Sequence, residues 1–313
     1  MAAWKIMLSD GLEENGRSLL AASAEVVNRS GITAEELLQE IGDYDALIVR
    51  GRTKVTAAVF EAAKKLKVVG RAGIGVDNID LAAAREKGVT VVNSPIATTL
   101  AVAELAMSLM LSLVREVPRA DAAMKQGAWL KKELMGAELW RKTLGVIGFG
   151  RIGSAVGRRA AAFDMRVLGC TLTSGPDVVR ERGGEPVSLD ELLAQSDIIS
   201  VHLPLNDKTR NLLDEAAFAK MKQGVYIVDV SRGGVINEEA LLAALESGKV
   251  AGAGLDVFTK EPPGATALVN HPHVIATPHI GAQTVEAQNR AAEDISTEVL
   301  AALGGEPLRW KVA

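Results

Sequence analysis

The sequence predicts an α/β protein of two units, each an open, doubly wound parallel sheet with helices on both faces. Three observations carry that reading. The chain has 313 residues, which at roughly 100 to 200 residues per domain makes about two domains. Short β-branched runs alternate with helically spaced ones from end to end, the pattern of successive βα units. A glycine-rich turn, Gly148-Phe149-Gly150-Arg151-Ile152-Gly153, lies between a strand-like and a helix-like run in the second half.

The first set of strands reads as Lys5 to Ser9, Ala46 to Val49, Val68 to Arg71 and Val89 to Asn93, each short and bounded by Gly, Asp or Pro. Helical spacing places helices between them at Ala34 to Ile41, Ala57 to Leu66 and Leu81 to Lys87. From Pro95 to Val114 the only ionisable residue is Glu104. About 20 apolar residues would suffice to cross a bilayer, but this run holds four Ser and Thr, is rich in small Ala, and has no companion span. It reads as a buried helix, and one apolar on nearly all faces needs two packing surfaces, such as a domain junction and a subunit interface.

A second set of strands follows at Thr143 to Ile147, Arg166 to Thr171, Asp197 to Leu203, Gly224 to Val230, Val250 to Asp256 and Val274 to Thr277, with a helix over Ser154 to Phe163. These have the organisation of the two halves of a dinucleotide-binding fold. The tail from Ala282 to Leu303 is helix-like and follows the last strand at once, so it can cross back to the first unit.

Composition narrows the function. Lys and Arg total 35 against 39 Asp and Glu, a net charge of −4, with no basic run to serve as a nucleic-acid footprint. Neither nucleic acid nor membrane is an expected partner. The single Cys170 cannot form an internal disulfide, and with four histidines there is little material for a metal site. The start, Met1-Ala2-Ala3-Trp4-Lys5, lacks a basic segment followed by a long apolar one, so the expected location is the cytoplasm.

The glycine turn matches G-x-G-x-x-G, a weak signal alone but a strong one between strand and helix. Gly148 would make the tight turn, Gly150 would let a pyrophosphate approach the backbone, and Gly153 would let helix and strand close up. The acid that normally binds the adenosine ribose, about 20 residues on, is missing: the second strand ends Cys170-Thr171-Leu172-Thr173-Ser174. Neutral hydroxyls there remove the repulsion against a 2′-phosphate, which Arg151 could reach, so NAD is favoured only slightly over NADP. A second cluster, Gly70-Arg71-Ala72-Gly73-Ile74-Gly75-Val76-Asp77-Asn78, has Asn78 where a third glycine would stand. A turn offering N–H groups to a small anion, with Arg71 adding charge, fits it better.

Ligands of open α/β sheets bind at the carboxyl ends of the strands, and three further segments fall there. Val230-Ser231-Arg232-Gly233-Gly234 offers an Arg fork for a carboxylate. Leu255-Asp256-Val257-Phe258-Thr259-Lys260-Glu261-Pro262 carries acids where a strand leaves the sheet. Thr277-Pro278-His279-Ile280-Gly281-Ala282 puts an imidazole before a helix. Oxidising an alcohol by hydride transfer also requires loss of the hydroxyl proton, and imidazole titrates in the range to take it. Glu261 can hold the ring. His202 reads as a packed strand-end residue, and His271 and His273 as loop residues.

These segments together, over essentially the whole chain, resemble the NAD-dependent D-2-hydroxyacid dehydrogenases, and within them the members acting on D-3-phosphoglycerate in serine biosynthesis. The resemblance implies a catalytic set falling on Arg232, Glu261 and His279: Arg232 binds the carboxylate and polarises the carbonyl, His279 moves the proton, and Glu261 supports it. It implies cofactor contacts at Ile74, Gly148, Gly150, Arg151, Ile152, Gly153, Thr171, Leu203, Val230, Ser231, Arg232, Asp256, His279, Gly281 and Ala282. It also implies a Rossmann-like NAD(P) domain, 96–282, inserted in a catalytic domain, 1–95 plus 283–313, that closes over the substrate, and a homodimer built on the helix between the domains.

A phosphorylated 2-hydroxy or 2-keto acid needs further cations. Arg50, Arg52 and Arg71, the Gly73 and Gly75 backbone, and Lys131 from a partner subunit are the expected ligands. Gly51-Arg52 departs from the Ser-Ala usual in the phosphoglycerate members. The sequence ends without the C-terminal regulatory domains of long-form members, so serine feedback through such a domain is not expected. Two other readings stay open: a glyoxylate or hydroxypyruvate reductase, with NADPH as an alternative coenzyme, and a nucleotide-sensing protein like the C-terminal-binding-protein corepressors.

Overall fold

The computed structural model describes residues 4–313; Met1, Ala2 and Ala3, part of the start read above for a targeting segment, lie outside it. The chain divides into two compact units. Residues up to Thr98 and Ala282–Ala313 form unit 1, and Thr99–Gly281 form unit 2.

In chain order unit 1 contributes β1 (Trp4–Leu8), α1 (Glu14–Ala21), β2 (Ala24–Asn28), α2 (Ala34–Glu40), β3 (Ala46–Val49), α3 (Ala57–Ala62), β4 (Val68–Arg71), α4 (Leu81–Glu86) and β5 (Thr90–Asn93). Unit 2 contributes α5 (Thr99–Val114), α6 (Val117–Lys125), β6 (Thr143–Ile147), α7 (Arg151–Ala161), β7 (Arg166–Cys170), α8 (Pro176–Glu181), β8 (Glu185–Pro186), α9 (Leu189–Gln195), β9 (Ile198–Val201), α10 (Glu215–Lys220), β10 (Val225–Asp229), α11 (Glu238–Glu246), β11 (Val250–Leu255) and β12 (Val274–Ala276). The chain then returns to unit 1 as α12 (Val285–Gly304).

Unit 1 is a five-stranded parallel sheet in the order β2-β1-β3-β4-β5. Alternate residues feed two cores, Met7, Leu47, Val49, Val69 and Val91 on one face and Ile6, Leu8, Ile48, Val68 and Val92 on the other, as burial on both faces requires. Ala292, Ile295, Val299 and Leu303 of α12 complete the second core at helical spacing. Gly70 makes room for that helix, because a Cβ there would come within 2.6 Å of Val299 Cγ2. The strand order reverses between β1 and β3, so the loops after them, at Ser9-Asp10 and Arg50–Thr53, flank the crevice where such sheets bind ligands.

Two elements of unit 1 escape sequence reading. β2 is a half-exposed edge strand, Ala-Glu-Val-Val-Asn. α1 holds Asn, Gly and Ser, which weaken a helix; Gly costs about 1 kcal/mol against Ala. The glycine serves packing instead. A Cβ on Gly16 would stand 2.8 Å from Ala292, and the Gly16 carbonyl accepts from Ser296 Oγ at 3.0 Å, so α1 forms by lying directly on α12.

Unit 2 is a seven-stranded parallel sheet in the order β12-β11-β10-β9-β6-β7-β8. Read from β8 it is the doubly wound 3-2-1-4-5-6 order with a seventh strand added, and its reversal lies between β6 and β9. α5 buries Val102, Ala103, Ala106, Leu109, Met110 and Leu113, and lies close over Gly252 and Gly254, with Leu109 Cβ 3.0 Å from where a Gly254 Cβ would be. Glu104 and Ser108 face outward. Among the described residues no helix is long and apolar enough to cross a membrane.

Candidate active site

The glycine turn follows β6 directly. Gly148 adopts φ +94°, which favours glycine, and a Cβ there would stand 2.5 Å from the His202 carbonyl oxygen. At Gly153 a Cβ would run into the Gly148 carbonyl. At Gly150 it would meet nothing within 4 Å. Gly150 is also the N-cap of α7, with no side chain capping the helix, which begins at Arg151 and not at Ser154 as its sequence suggests. The uncapped N–H groups of an eleven-residue helix therefore face open space beyond Gly150, the requirement for a pyrophosphate. These residues fit a dinucleotide.

The flanking strand ends complete the cradle. Gly148 N–H donates to Cys170 at the end of β7 (2.9 Å), and His202 N–H donates to Ile147 (2.8 Å). Thr171 follows Cys170 and turns its hydroxyl onto the Ser174 carbonyl. Leu203 is buried beside Gly148, Ile152 is half-buried and Arg151 exposed. His202 is a packed strand-end residue: its Nε2 lies 2.8 Å from Ser200 Oγ, its Nδ1 is buried without a partner, and burial pushes its pKa down to about 3.

The loops after β10, β11 and β12 are neighbours because those strands are. Asp229, the buried last residue of β10, accepts from the Ser231 N–H (2.8 Å) and hydroxyl (2.6 Å), closing a turn through buried Val230 and Ser231. Arg232 comes next, half-buried, with Nη1 donating to the Ser231 carbonyl at 2.7 Å. Gly233 has no room for a side chain because the Phe258–Thr259 backbone lies against it, which brings the Arg232 loop onto the Glu261 loop.

Glu261 Oε2 and His279 Nδ1 are 2.8 Å apart, and Glu261 Oε1 accepts from the Phe258 N–H at 3.2 Å. Burial pushes the Glu261 carboxyl up, but the hydrogen bond and charge of His279, the Phe258 N–H and the charge of Arg232 outweigh it and hold the carboxyl below its ordinary value. His279 has φ +53°, a left-handed conformation costly for an imidazole residue. Asp256 maintains it: 1% exposed, it accepts from Thr277 Oγ1 (2.6 Å), Ile280 N–H (2.8 Å) and Gly281 N–H (2.8 Å). Sequence reading put Asp256 on the cofactor; these bonds commit both its oxygens to the loop that carries His279.

The remaining expected residues lie on other segments of the chain. In unit 1, the Arg50 guanidinium pairs with Glu13, and the Arg50 backbone N–H donates to Asp10 Oδ2 (2.7 Å). Arg52 donates to the carbonyls of Ile32 (2.9 Å) and Ser9 (2.6 Å) and lies 3.1 Å from Asp10. Both were expected as open anion ligands, and both are instead engaged by acids and carbonyls. Asp10 and Asn78 organise the loop: Asp10 also accepts from Thr53, and Asn78 donates to the Arg50 and Thr53 carbonyls. Neither was singled out as a site residue, although an Asp immediately after a strand at the reversal of sheet order is a usable signal.

Arg71 ends β4 and lays its guanidinium over Gly73, where any Cβ would displace it. Ile74 and Gly75 follow, half-buried, and the Ile74 carbonyl accepts from Asn93. The Ala282 carbonyl accepts from Gln288 in unit 1. Lys131 is exposed on the turn after α6 in unit 2. Among the described residues, no group of three or more His, Cys, Asp or Glu is arranged to hold a metal.

Comparison with known proteins agrees with this geometry. Residues 107–281 match the NAD binding domain of the D-isomer specific 2-hydroxyacid dehydrogenases. D-3-phosphoglycerate dehydrogenase of Rattus norvegicus is 47% identical over 305 residues, 97% of this chain and 57% of the relative, so the chain spans little more than half of that protein's length. Hydroxypyruvate reductase of Thermotoga maritima is 45% identical over 308 residues, 97% of this chain and 100% of the relative. The crystal structure of a glyoxylate reductase from Paecilomyes thermophila superposes with a TM-score of 0.90 at 34% identity, covering 100% of this chain and 99% of that one. The chain belongs to the D-isomer specific 2-hydroxyacid dehydrogenase family, and its unit 2 is that family's NAD-binding domain.

Proposed function

We propose that this protein interconverts a D-2-hydroxy acid and its 2-keto acid with NAD, and that the hydroxy acid is D-3-phosphoglycerate, oxidised to 3-phosphohydroxypyruvate. The observation that carries the reaction is the 2.8 Å Glu261–His279 contact next to the Arg232 loop, at the strand ends of an NAD-binding domain. Gly148, Gly150 and Gly153, with Thr171 and Leu203 beside them, would hold NAD, which when bound would supply the acceptor for the hydride leaving C2. Arg232 binds the substrate carboxylate with its planar fork and polarises the C2 oxygen. His279 keeps one ring proton on Nδ1 toward Glu261, leaving Nε2 to take the hydroxyl proton. Glu261, held ionised, stabilises the imidazolium so formed. Asp256 is a positioning residue.

Similarity to D-3-phosphoglycerate dehydrogenase over 97% of the chain supports the phosphorylated substrate. In unit 1 the group assigned to substrate anions is Arg71, with the Gly75 backbone following it; the Gly73 N–H, expected to join them, donates instead to the Arg71 carbonyl at 2.8 Å. Lys131, exposed, is assigned the same role from a second subunit. Exposed Val117, Met124, Trp129, Met135 and Trp140 in and after α6 support a homodimer. The engagement of Arg50 by Glu13 and Arg52 by Asp10 favours a second reading, a hydroxypyruvate or glyoxylate reductase, whose substrate carries no phosphate. Steady-state turnover of phosphohydroxypyruvate against hydroxypyruvate separates the two. A higher kcat/KM with the phosphate supports the first; no advantage overturns it.

A further inference from the structure

The turn from Arg71 to Gly75 is held by the end of β5. Across the β4–β5 register, in which Arg71 is opposite Asn93, Asn93 Nδ2 donates to the Ile74 carbonyl at 2.7 Å, and the Ser94 N–H donates to the Gly73 carbonyl at 3.1 Å. A trans peptide is planar, with its C=O and N–H pointing in opposite directions. Taking up the Ile74 carbonyl therefore also aims the Gly75 N–H, and taking up the Gly73 carbonyl aims the Ile74 N–H, both away from the end of β5. Successive N–H groups turned the same way beside a guanidinium suit an anion. Ser94 is fully buried and its hydroxyl donates to Asp294 of α12 at 2.8 Å. Asn93, half-buried, is held by the C-terminal segment. That segment runs antiparallel along the outer edge of β5: the Val91 N–H donates to Ala313 (3.0 Å), the Val312 N–H to Val91 (2.7 Å) and the Asn93 N–H to Trp310 (3.3 Å). Its start is fixed to α12 by Glu298, 1% exposed, which accepts from the Arg309 N–H (3.0 Å), Arg309 Nε (2.9 Å) and the Trp310 N–H (3.1 Å).

We propose that Asn93 is a positioning residue for substrate binding, aiming the Gly75 N–H at the substrate's anionic group, and that the segment Arg309–Ala313 is the strap that keeps Asn93 in place. Asn93 acts through the turn and not on the substrate itself. Without its amide the Ile74–Gly75 peptide is free to pivot, and the anion loses an aligned donor. Arg232, Glu261 and His279, which act at C2, belong to unit 2 and keep their geometry. The signature is therefore weaker substrate binding with turnover retained.

The inference rests on the dehydrogenase reading above, and steady-state kinetics separate the two. Wild type, Asn93→Ala, Asn93→Leu and Val312→Pro are compared with NADH and whichever of phosphohydroxypyruvate and hydroxypyruvate the wild type reduces better. Leucine keeps the bulk of the asparagine without its donor, and Val312→Pro removes the N–H given to Val91. Both Asn93 variants should raise the KM for the keto acid at least about fivefold, less than the full loss of one hydrogen bond to a charged group. Their kcat should stay within about twofold of wild type, which also shows that they fold. Val312→Pro should give the same split, and combined with Asn93→Leu it should raise KM no further than the larger single effect, because both act on one turn. An unchanged KM in the Asn93 variants overturns the proposal, and so does a kcat that falls as KM rises, which would make Asn93 a structural residue. Additive effects in the double variant, or an unchanged KM in Val312→Pro, overturn the part given to the strap. Should Asn93→Ala fail to fold, Asn93→Leu decides, and Val312→Pro decides if both fail. Wild-type turnover of neither acid would overturn the dehydrogenase reading itself, and this inference with it.

Discussion

His279 Nδ1 lies 2.8 Å from Glu261 Oε2, joining two residues 18 positions apart on the loops that follow β11 and β12. A histidine fixed at Nδ1 by a carboxylate has its other nitrogen free for proton transfer, and the carboxylate favours the protonated ring that results. His279→Ala should lower kcat by about 10²- to 10⁴-fold, the usual contribution of a positioned acid or base, while the NAD dissociation constant hardly changes. Glu261→Gln should cost less in kcat and change its pH profile, because the amide keeps the hydrogen bond and loses the charge. Parallel loss of turnover and of NAD affinity in His279→Ala would make the histidine a structural residue.

Arg232 follows a turn closed by Asp229 and lies on a glycine that admits the Phe258 backbone. Its position therefore leaves little freedom, and the planar fork is what a carboxylate requires. Arg232→Lys should raise the KM for the keto acid at least about tenfold, since an ammonium cannot make the paired contacts. An unchanged KM in steady-state kinetics would remove Arg232 from substrate binding.

Asp256 spends its carboxylate on one hydroxyl and two backbone donors of the His279 loop. Asp256→Asn replaces an acceptor oxygen with an NH₂ group facing those donors, leaving at least one buried N–H without a partner. The expected loss is about 1–3 kcal/mol of stability, the cost of a buried unsatisfied group, with a fall in kcat as the left-handed His279 relaxes. Denaturant unfolding and kinetics together check this. Full activity and wild-type stability would show that the loop holds itself.

How much of this is legible in the sequence depends on how local each cause is. The glycine turn declares itself because strand, turn and helix are contiguous from Leu144 to Ala161. Arg232, Glu261 and His279 can be singled out because each lies just past a β-branched run, and parallel strands gather their ends on one side of the sheet. What the sequence conceals is who holds whom. Asp256 serves residues 21 to 25 positions later, Asp10 orders a loop 40 to 43 positions later, and Gly16 lies against Ala292. Such pairings follow from sheet order and helix docking, which no window of neighbouring residues contains. The same blindness left Arg50 and Arg52 looking like open cations, since Glu13 and Asp10 meet them only once β1 and β3 are side by side.

Asp229 makes the structure's electrostatics testable by pH. Burial pushes its carboxyl up to about 7, with the Ser231 hydrogen bonds and Arg232 pulling it down and Asp256 pushing it up. A carboxyl whose folded pKa exceeds its unfolded one binds more protons in the folded state. The stability it confers is therefore complete below the unfolded pKa, near 3.8, and is lost as the pH climbs through the folded value. Asp229→Asn keeps an acceptor for the Ser231 N–H and removes the titration. Denaturant unfolding at about pH 5 and at about pH 8 should show the wild type losing stability relative to the variant as the pH rises, by at most about 1.4 kcal/mol per unit. The KM for the keto acid should share this dependence in the wild type alone, because the titrating carboxyl closes the turn that presents Arg232. A stability difference between the two proteins that stays constant across that range would mean that Asp229 is ionised throughout, and that the cation beside it prevails over its burial.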